Sequence, residues 1–118
     1  MGAPVAYFEI VSPQAERARA FYTELFGWQT VDIGDPTYTM VDTGSGDGAI
    51  GGGIGEPQRA TDPGGTKIYM RVDDLQAYLD RAAKLGGLTV VPPTPLPGDF
   101  GSFAVLADPD GQLVGLWA

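Results

Sequence analysis

Histidine and cysteine are both absent from this chain of 118 residues. Without cysteine the chain has no disulfide framework, no thiolate zinc site and no cysteine nucleophile, which fits a reducing interior. Without histidine, no imidazole is present to activate a serine hydroxyl, and this excludes a hydrolase triad in its usual form. The two absences therefore remove the most common nucleophilic and transition-metal chemistry.

Basic residues are scarce, since 7 Lys and Arg against 15 Asp and Glu give a formal net charge of −8. This balance opposes close approach to nucleic acid phosphates and to anionic lipid. No apolar run approaches the roughly 20 residues that a membrane helix needs, and the first residues carry no basic leader. We expect a soluble, cytoplasmic protein whose partners include neither nucleic acid nor a membrane.

Two amphipathic helices of the same design are predicted over Ser12–Gly27 and Asp73–Gly87. In each, apolar residues recur at three- and four-residue spacing, while charged residues occupy the other side. Ser12 caps the first helix and either Asp73 or Asp74 caps the second. Glycine ends each helix, because it adopts the left-handed conformation without a Cβ penalty. The predicted apolar stripes comprise Ala15, Ala18, Phe21, Tyr22, Leu25 and Phe26 in the first helix, and Leu75, Tyr78, Leu79, Ala82 and Leu85 in the second.

Each predicted helix follows one strand and precedes three more, so the chain repeats a strand–helix–strand–strand–strand unit. The length suits a single domain over residues 1–118, with a first module at about 4–55, a linker at about 55–65 and a second module at about 66–118. The predicted strands are Val5–Val11, Trp28–Ile33, Tyr38–Asp42 and Ala49–Ile54, then Ile68–Val72, Leu88–Val91, Ser102–Ala107 and Leu113–Trp117.

Several short segments in this order resemble the glyoxalase/bleomycin-resistance/dioxygenase superfamily, also called the vicinal oxygen chelate proteins. The resemblance covers nearly the whole chain and implies an α+β fold. In that fold two βαβββ modules form an eight-stranded cupped mixed sheet with helices on its outer face, commonly in a homodimer. The linker leaves open whether the modules pair within one chain or are exchanged between chains. The segments are Phe8-Glu9-Ile10, Ala18–Gly27 (A-R-A-F-Y-T-E-L-F-G), Val72-Asp73-Asp74-Leu75, Ala107–Gly111 (A-D-P-D-G) and Gly115-Leu116-Trp117.

Enzymes of the resembled family usually place metal ligands, mostly His and Glu, on the first and last strands of each module. By alignment these places fall at Tyr7, Gly52, Lys67 and Gly115. The two glycines offer no side chain, and the lysine ammonium has no acceptor atom that could bind a metal ion. The tyrosine must ionise before it becomes a good ligand. Glu9 nearby supplies only one carboxylate, whereas a divalent catalytic site needs several ligands. We therefore expect no metal and no cofactor.

Strand alternation predicts the lining of the cup. Phe8 and Ile10 are expected to face the first helix, which places Tyr7 and Glu9 on the opposite face. The same alternation turns the charged and aromatic residues of the second module away from its helix. An aromatic cavity with a few polar groups is typical of a small-molecule pocket. The predicted ligand-binding residues are Tyr7, Glu9, Gly52, Lys67, Tyr69, Phe100, Gly115 and Trp117.

Two function classes follow from these expectations. The first is a metal-independent small-molecule-binding protein that sequesters an aromatic metabolite or an antibiotic, as the bleomycin-resistance branch of the resembled family does; the balance of residues favours this class over an enzyme. The second is a metal-free lyase or isomerase acting on a carbonyl substrate. In it Glu9 is the catalytic general base, and Lys67 or Tyr7 stabilises the developing negative charge. A third possibility is that side chains fill the cup and the module serves assembly.

The candidate residues also have structural interpretations. Glu9 can form a salt bridge to Lys67 or Arg71, and those two basic residues can equally be solvated charges at strand ends. Tyr69 and Trp117 suit ordinary packing or a dimer interface as well as a ligand platform.

The proline-rich segment Pro92–Gly101 also has two interpretations. It can form a lid that carries Phe100 over the cup, because glycines flank that residue, or a rigid connector between two strands. Stiff proline-rich loops commonly do no more than connect.

Overall fold

The computed structural model describes residues 2–44, 46 and 48–118. These residues form eight strands and two helices, an α+β arrangement, as the sequence predicts. In chain order the elements are β1 (Val5–Val11), α1 (Ala15–Phe26), β2 (Gln29–Val31), β3 (Tyr38–Asp42), β4 (Gly51–Gly55), β5 (Gly65–Arg71), α2 (Leu75–Lys84), β6 (Leu88–Pro95), β7 (Ser102–Ala107) and β8 (Leu113–Trp117).

The chain divides into two compact units. Module one, residues 7–66, has the strand order β2-β3-β4-β1 and contains α1. Module two, residues 2–6 and 67–118, has the order β5-β8-β7-β6 and contains α2. In both modules the first strand pairs in parallel with the last strand, and the other pairs are antiparallel. The predicted pair of βαβββ modules, each with a mixed sheet, is confirmed.

Most strand positions follow the expected pattern. Strands β1, β3, β7 and β8 have the predicted bounds, whereas β2 is shorter than predicted and β5 begins earlier, at Gly65. The glycine strand β4 runs two residues later at its start and one later at its end than the predicted Ala49–Ile54. The segment predicted as a linker, residues 55–65, groups with module one, and residues 2–6 group with module two.

Each module buries one face of its sheet under its own helix. In module one Ile10 of β1, Val41 of β3 and Ile54 of β4 form the core. Their alignment follows from the register, because Ile10 lies opposite Ile54 in the parallel pair. Side chains partly buried against this core are Phe8, Ala18, Tyr22 and Trp28. The core of module two comprises Val72, Leu75, Leu79, Ala104 and Leu116.

Helix α1 begins later than predicted. Its first residue is Ala15 and its N-cap is Gln14, whereas the sequence suggests capping by Ser12 and a helical Pro13. The Ser12 hydroxyl instead accepts a hydrogen bond from the N–H of Gln14 at 3.1 Å, which forms a local turn before the helix. The predicted end is correct, since Gly27 is left-handed with φ 71° and its N–H bonds to the carbonyl of Thr23 at 2.9 Å.

The predicted apolar stripe of α1 is only partly buried. Ala18 and Tyr22 pack against the sheet, as expected. Phe21, Leu25 and Phe26 are 59%, 60% and 57% exposed, so the outer part of the stripe does not contribute to the core of module one. The periodicity identified the helix, but it overestimated how wide a face the sheet covers.

Helix α2 has its predicted cap and core residues, but Tyr78 and Leu85 of its predicted apolar stripe are 38% and 69% exposed. The Asp74 carboxylate caps it by accepting a hydrogen bond from the N–H of Ala77 at 3.1 Å. Leu75 and Leu79 are buried, and the chain turns at Leu85 with Gly86 in a left-handed conformation. Within the described ranges, neither α1 nor α2 is long and apolar enough to span a membrane.

Strand β6 extends beyond the predicted Leu88–Val91 and includes three prolines, ending at Pro95. Its register against β7 shifts between Thr89 and Val91 and again between Val91 and Thr94. Proline has no N–H to donate, so it fits a strand where the regular ladder is interrupted. The remainder of the proline-rich segment is a short loop, closed by a 2.8 Å hydrogen bond from the N–H of Leu96 to the carbonyl of Gly101. This arrangement supports the connector interpretation over the lid.

Replacement of Leu79 by alanine tests the core of module two. Leu79 is 2% exposed, so Leu79→Ala should lower the free energy of unfolding by about 2–5 kcal/mol through lost burial and a residual cavity. Leu85→Ala is the matched control, because Leu85 is 69% exposed and its truncation should change stability by less than about 0.5 kcal/mol. Urea unfolding monitored by circular dichroism measures both. Equal effects would contradict the described packing of α2.

Candidate functional site

The first cluster of candidate residues lies on the face of module one that is turned away from α1. Tyr7 and Glu9 alternate along β1 with the core residues Phe8 and Ile10, as predicted. In the parallel pair, Tyr7 lies opposite Gly51 and Glu9 lies opposite Gly53, so both glycines share the face of the two polar residues. Both candidate side chains are half-buried.

Gly52 does not share this face, and its predicted position beside Tyr7 is wrong. The register sets it opposite Phe8, on the side covered by α1. A Cβ at Gly52 would collide with the Phe8 ring, so the glycine provides room for a core side chain. The error is a slip of one residue, which in a strand exchanges the two faces. The glycine on the face of Glu9 is Gly53.

A chain of hydrogen bonds connects the polar residues of module one. The Tyr38 hydroxyl donates to the Glu9 Oε2 at 2.8 Å. The hydroxyls of Tyr7 and Tyr38 are 2.7 Å apart. Because Tyr38 has one proton and gives it to Glu9, Tyr7 is the donor to Tyr38. The chain therefore runs from Tyr7 through Tyr38 to the Glu9 carboxylate.

Tyr38 reaches Glu9 only because the strand between them is made of glycine. Tyr38 is on β3 and Glu9 on β1, with β4 lying between these strands. A Cβ at Gly53 or at Gly55 would collide with the Tyr38 ring, which lies across the backbone of β4. A glycine inside a strand commonly marks such a close approach. Because β4 has glycines at these positions, the Tyr38 ring can cross the strand and its hydroxyl can reach Glu9.

The surroundings of the two tyrosines keep both phenols neutral. Burial raises the pKa of Tyr7 to about 12; the hydrogen bond with Tyr38 opposes this change, and the Glu9 charge adds to it. Burial also raises the pKa of Tyr38 far above its ordinary value, and the negative charge of Glu9 adds to the effect. At neutral pH both hydroxyls are therefore hydrogen-bond donors rather than phenolates.

Module two places a second tyrosine over a glycine. Tyr69 on β5 lies opposite Gly115 on β8, and a Cβ at Gly115 would collide with the Tyr69 ring. Tyr69 is 6% exposed, which agrees with the packing interpretation of this residue. Lys67 is half-buried on the same strand, two residues earlier. Whether Lys67, Tyr69 and Gly115 contact a ligand stays a prediction, as does the salt bridge from Glu9 to Lys67 or Arg71.

Trp117 is held by contacts on its edge and on one face. Its Nε1 donates to the carbonyl of Phe100 at 2.6 Å. The guanidinium carbon of Arg71 lies 4.4 Å from the centroid of the indole. Phe100 is 52% exposed on the loop after β6. The structure therefore brings Trp117, Phe100 and Arg71 together at one end of the sheet of module two.

These residues do not fit the metal site that the resemblance implies. The last strand of each module offers glycine, and the space above Gly53 and Gly115 is occupied by the rings of Tyr38 and Tyr69. In the part of the chain that the structure describes, no three His, Cys, Asp or Glu side chains are grouped closely enough to hold a metal ion. The donor set is thus one carboxylate, Glu9, whose Oε2 already accepts a hydrogen bond.

Surface depressions elsewhere do not involve the candidate residues. One lies along the outer side of α2, and the other lies beside the start of α1. Charged side chains of the helix surface line both, and the second also includes Glu56 after β4. A typical ligand site is instead a cleft lined mostly by apolar side chains. We give them no functional role.

Sequence reasoning missed Tyr38, which connects the other two polar residues. Its position as the first residue of β3 gave no separate signal, because the contact is set by strands that are distant in sequence. The available signal was the run of Gly51, Gly52 and Gly53. Such a run indicates that aromatic rings lie against the strand.

Comparison with known proteins identifies relatives along nearly the whole chain. The model of the Glyoxalase/Bleomycin resistance protein/Dioxygenase superfamily matches residues 5–116. The anthracycline biosynthesis protein DnrV of Streptomyces peucetius is 32% identical over 130 residues, covering 98% of this chain and 46% of that protein. The putative glyoxylase CFP32 of Mycobacterium tuberculosis is 32% identical over 117 residues, covering 94% and 44%. The chain thus spans about half the length of these relatives.

Solved structures agree with the described fold. Methylmalonyl-CoA epimerase from Mycobacterium tuberculosis superposes with a TM-score of 0.68 at 18% identity, covering 96% of this chain and 85% of that one. At this identity the similarity concerns the fold alone.

Replacement of Gly53 by alanine tests the placement of Tyr38. The new methyl group would collide with the Tyr38 ring, so Gly53→Ala should lower the free energy of unfolding by about 1–3 kcal/mol and break the bond to Glu9. Gly51→Ala is the matched control on the same strand and face, because its nearest neighbour would be the Val41 carbonyl at an ordinary 3.5 Å. Urea unfolding measures stability. If both variants matched the wild type, the ring would not lie on Gly53.

Alkaline pH tests the buried phenol of Tyr7. An unfolded tyrosine ionises near pH 10, whereas in the folded chain the pKa of Tyr7 is about 12. Stability is therefore fully present below about pH 10 and should decrease as the pH rises toward about 12, because only the unfolded state gains charge there. Tyr7→Phe should make this decrease shallower in urea unfolding. An unchanged slope would show that Tyr7 is solvated.

Proposed function

Because the chain belongs to the Glyoxalase/Bleomycin resistance protein/Dioxygenase superfamily, we propose that it is a metal-independent protein that binds a small planar aromatic molecule, either a metabolite or an antibiotic. The family supplies the scaffold, and the residues on it decide the chemistry. The observation that carries the proposal is the pair of tyrosine rings over Gly53 and Gly115, on the last strand of each module.

Metal independence is supported by what these rings occupy. A metal-binding carboxylate or imidazole at position 53 or 115 would need the space that Tyr38 or Tyr69 fills. Divalent catalytic sites take about three protein ligands, and Glu9 is one. On β4 and β8, aromatic rings therefore occupy the places where metal-coordinating side chains would lie.

The polar network of module one suits recognition of a hydroxylated ring system. Tyr7 donates its proton to Tyr38, so toward a ligand the Tyr7 oxygen acts as an acceptor. Aromatic side chains with a fixed polar end provide both apolar area and orientation. DnrV is named for anthracycline biosynthesis, and the anthracycline ring system is planar, aromatic and hydroxylated. This class is accordingly the first to test.

The alternative is a metal-free lyase or isomerase acting on a carbonyl substrate, with Glu9 as general base. The observation in its favour is that Tyr38 joins Glu9 to Tyr7 through bonds of 2.8 and 2.7 Å, which links a carboxylate to phenolic donors. Against it, the Glu9 Oε2 is already an acceptor for Tyr38. Turnover of a bound carbonyl compound that stops in Glu9→Gln, with binding retained, would favour the enzyme.

Ligand titration tests the binding proposal. A neutral hydroxyanthraquinone should bind the full chain, and Tyr7→Phe should weaken that binding by about tenfold through the loss of one hydrogen bond. Tyr78→Phe is the control, because Tyr78 lies on α2 and is 38% exposed. Isothermal titration calorimetry gives the affinities, and thermal unfolding gives an independent measure of binding.

Two results would overturn the proposal. The first is the absence of binding across neutral planar aromatic compounds. The second is stoichiometric zinc, nickel, manganese or iron in protein purified from its source cells, measured by elemental analysis.

We also propose that the protein acts in the cytoplasm as a homodimer. The net charge of −8 and the lack of cysteine support the compartment, and membership of the superfamily supports the assembly. A native mass spectrum of protein from its source cells reports the number of subunits together with any small molecule that accompanies them. A monomer with no bound molecule would contradict the proposed assembly.

A further inference from the structure

Arg71 and Trp117 form a cation–π pair in module two. They are register partners in the parallel pair of β5 and β8. The guanidinium carbon of Arg71 is 4.4 Å from the centroid of the Trp117 ring, within the range of a cation–π contact. One face of the indole, which the sequence suggested as a ligand platform, is therefore covered by Arg71. In this arrangement the tryptophan supports the arginine.

The orientation of Trp117 is fixed by the loop after β6. Its Nε1 donates to the Phe100 carbonyl at 2.6 Å. Next to Phe100, Gly101 has φ 81°, and a Cβ there would collide with the carbonyl of Ala118 and lie 3.5 Å from the Trp117 Nε1. The loop and the end of β8 thus pack without space for a side chain. A fixed indole gives Arg71 a fixed surface on which to stack.

No acidic side chain among the described residues of module two is paired with Arg71. Within that part of the chain, the structure records no ion pair and no side-chain hydrogen bond for Arg71. The attraction of the cation to the ring is electrostatic, and the guanidinium carries five N–H donors in a fork on the edge of its plane. That edge matches a planar carboxylate through two parallel hydrogen bonds.

We propose that Arg71, held on Trp117, binds the carboxylate of an aromatic ligand. Phe100, whose carbonyl contacts the indole, is 52% exposed and supplies apolar surface for the attached ring system. This inference rests on the proposed binding function and narrows the ligand to an aromatic carboxylate. It also assigns the recognition role in module two to Arg71 rather than to the indole face of Trp117.

A matched pair of probes tests the inference on the full chain. 2-Naphthoate and 2-naphthamide have the same ring and nearly the same shape, but only the first carries a charge. Calorimetric titration should show naphthoate binding about tenfold more tightly than naphthamide, because its hydrogen bonds to the guanidinium are charge-assisted. Arg71→Gln should abolish this preference, and Arg71→Lys, which keeps the charge without the fork, should retain part of it.

Arg81→Gln is the matched control, because Arg81 lies in the last turn of α2 and its loss should leave the preference unchanged. Thermal unfolding establishes that each variant is folded. If Arg71→Gln does not fold, the indole N–H resonance of Trp117 in the wild-type chain replaces it as the readout. Naphthoate should shift that resonance, and naphthamide at the same concentration should shift it less.

The outcomes separate this inference from the broader proposal. Equal binding of the two probes to the wild type would overturn the role of Arg71 and leave aromatic binding in place. A preference for naphthoate that persists in Arg71→Gln would also overturn the role of Arg71. Naphthoate binding that leaves the Trp117 resonance unmoved would overturn it as well. Absence of binding by both probes and by neutral hydroxyanthraquinone would overturn the inference and the proposed function together.

Discussion

Packing of aromatic rings on glycine is the interaction on which module one depends. Strand β4 carries a ring on each face, with Phe8 over Gly52 and Tyr38 over Gly53 and Gly55. Glycine inside a strand costs roughly 0.5–1 kcal/mol relative to alanine, and it exposes backbone that a side chain would cover. The rings cover that backbone. They also set the chemistry, because only a bare strand lets the Tyr38 hydroxyl cross from β3 to Glu9 on β1.

The same packing recurs in module two. Tyr69 lies over Gly115, its register partner on the paired strand, as Tyr38 lies over its register partner Gly55. Module two instead carries two cations on β5, the half-buried Lys67 and Arg71 over the Trp117 ring. The repeated βαβββ scaffold thus carries a carboxylate with phenolic donors in one copy and cations in the other. Duplication gave one backbone, and a few side chains made its two copies chemically unlike.

Local signals in the sequence predicted local structure well. Asp74 and Gly27 identified helix ends, because capping is decided by a few adjacent residues. The sequence failed where the deciding contact is distant or where a side chain is missing. Gly52 was assigned to the wrong face because alternation cannot be read in a strand of glycines. Tyr38 was missed because its partners lie two strands away in the sheet, and Pro92–Pro95 was not predicted as strand because proline disfavours a regular ladder.

The prolines of β6 have a consequence for how this protein meets other chains. An outer strand ordinarily presents a row of backbone N–H and C=O groups, which is a template for strand addition and for aggregation. In module two β6 is the last strand of the order, and its register is twice interrupted beside residues that have no N–H to donate. An extended peptide could not form a continuous ladder along it. The irregular strand therefore disfavours growth of the sheet of module two by strand addition at β6.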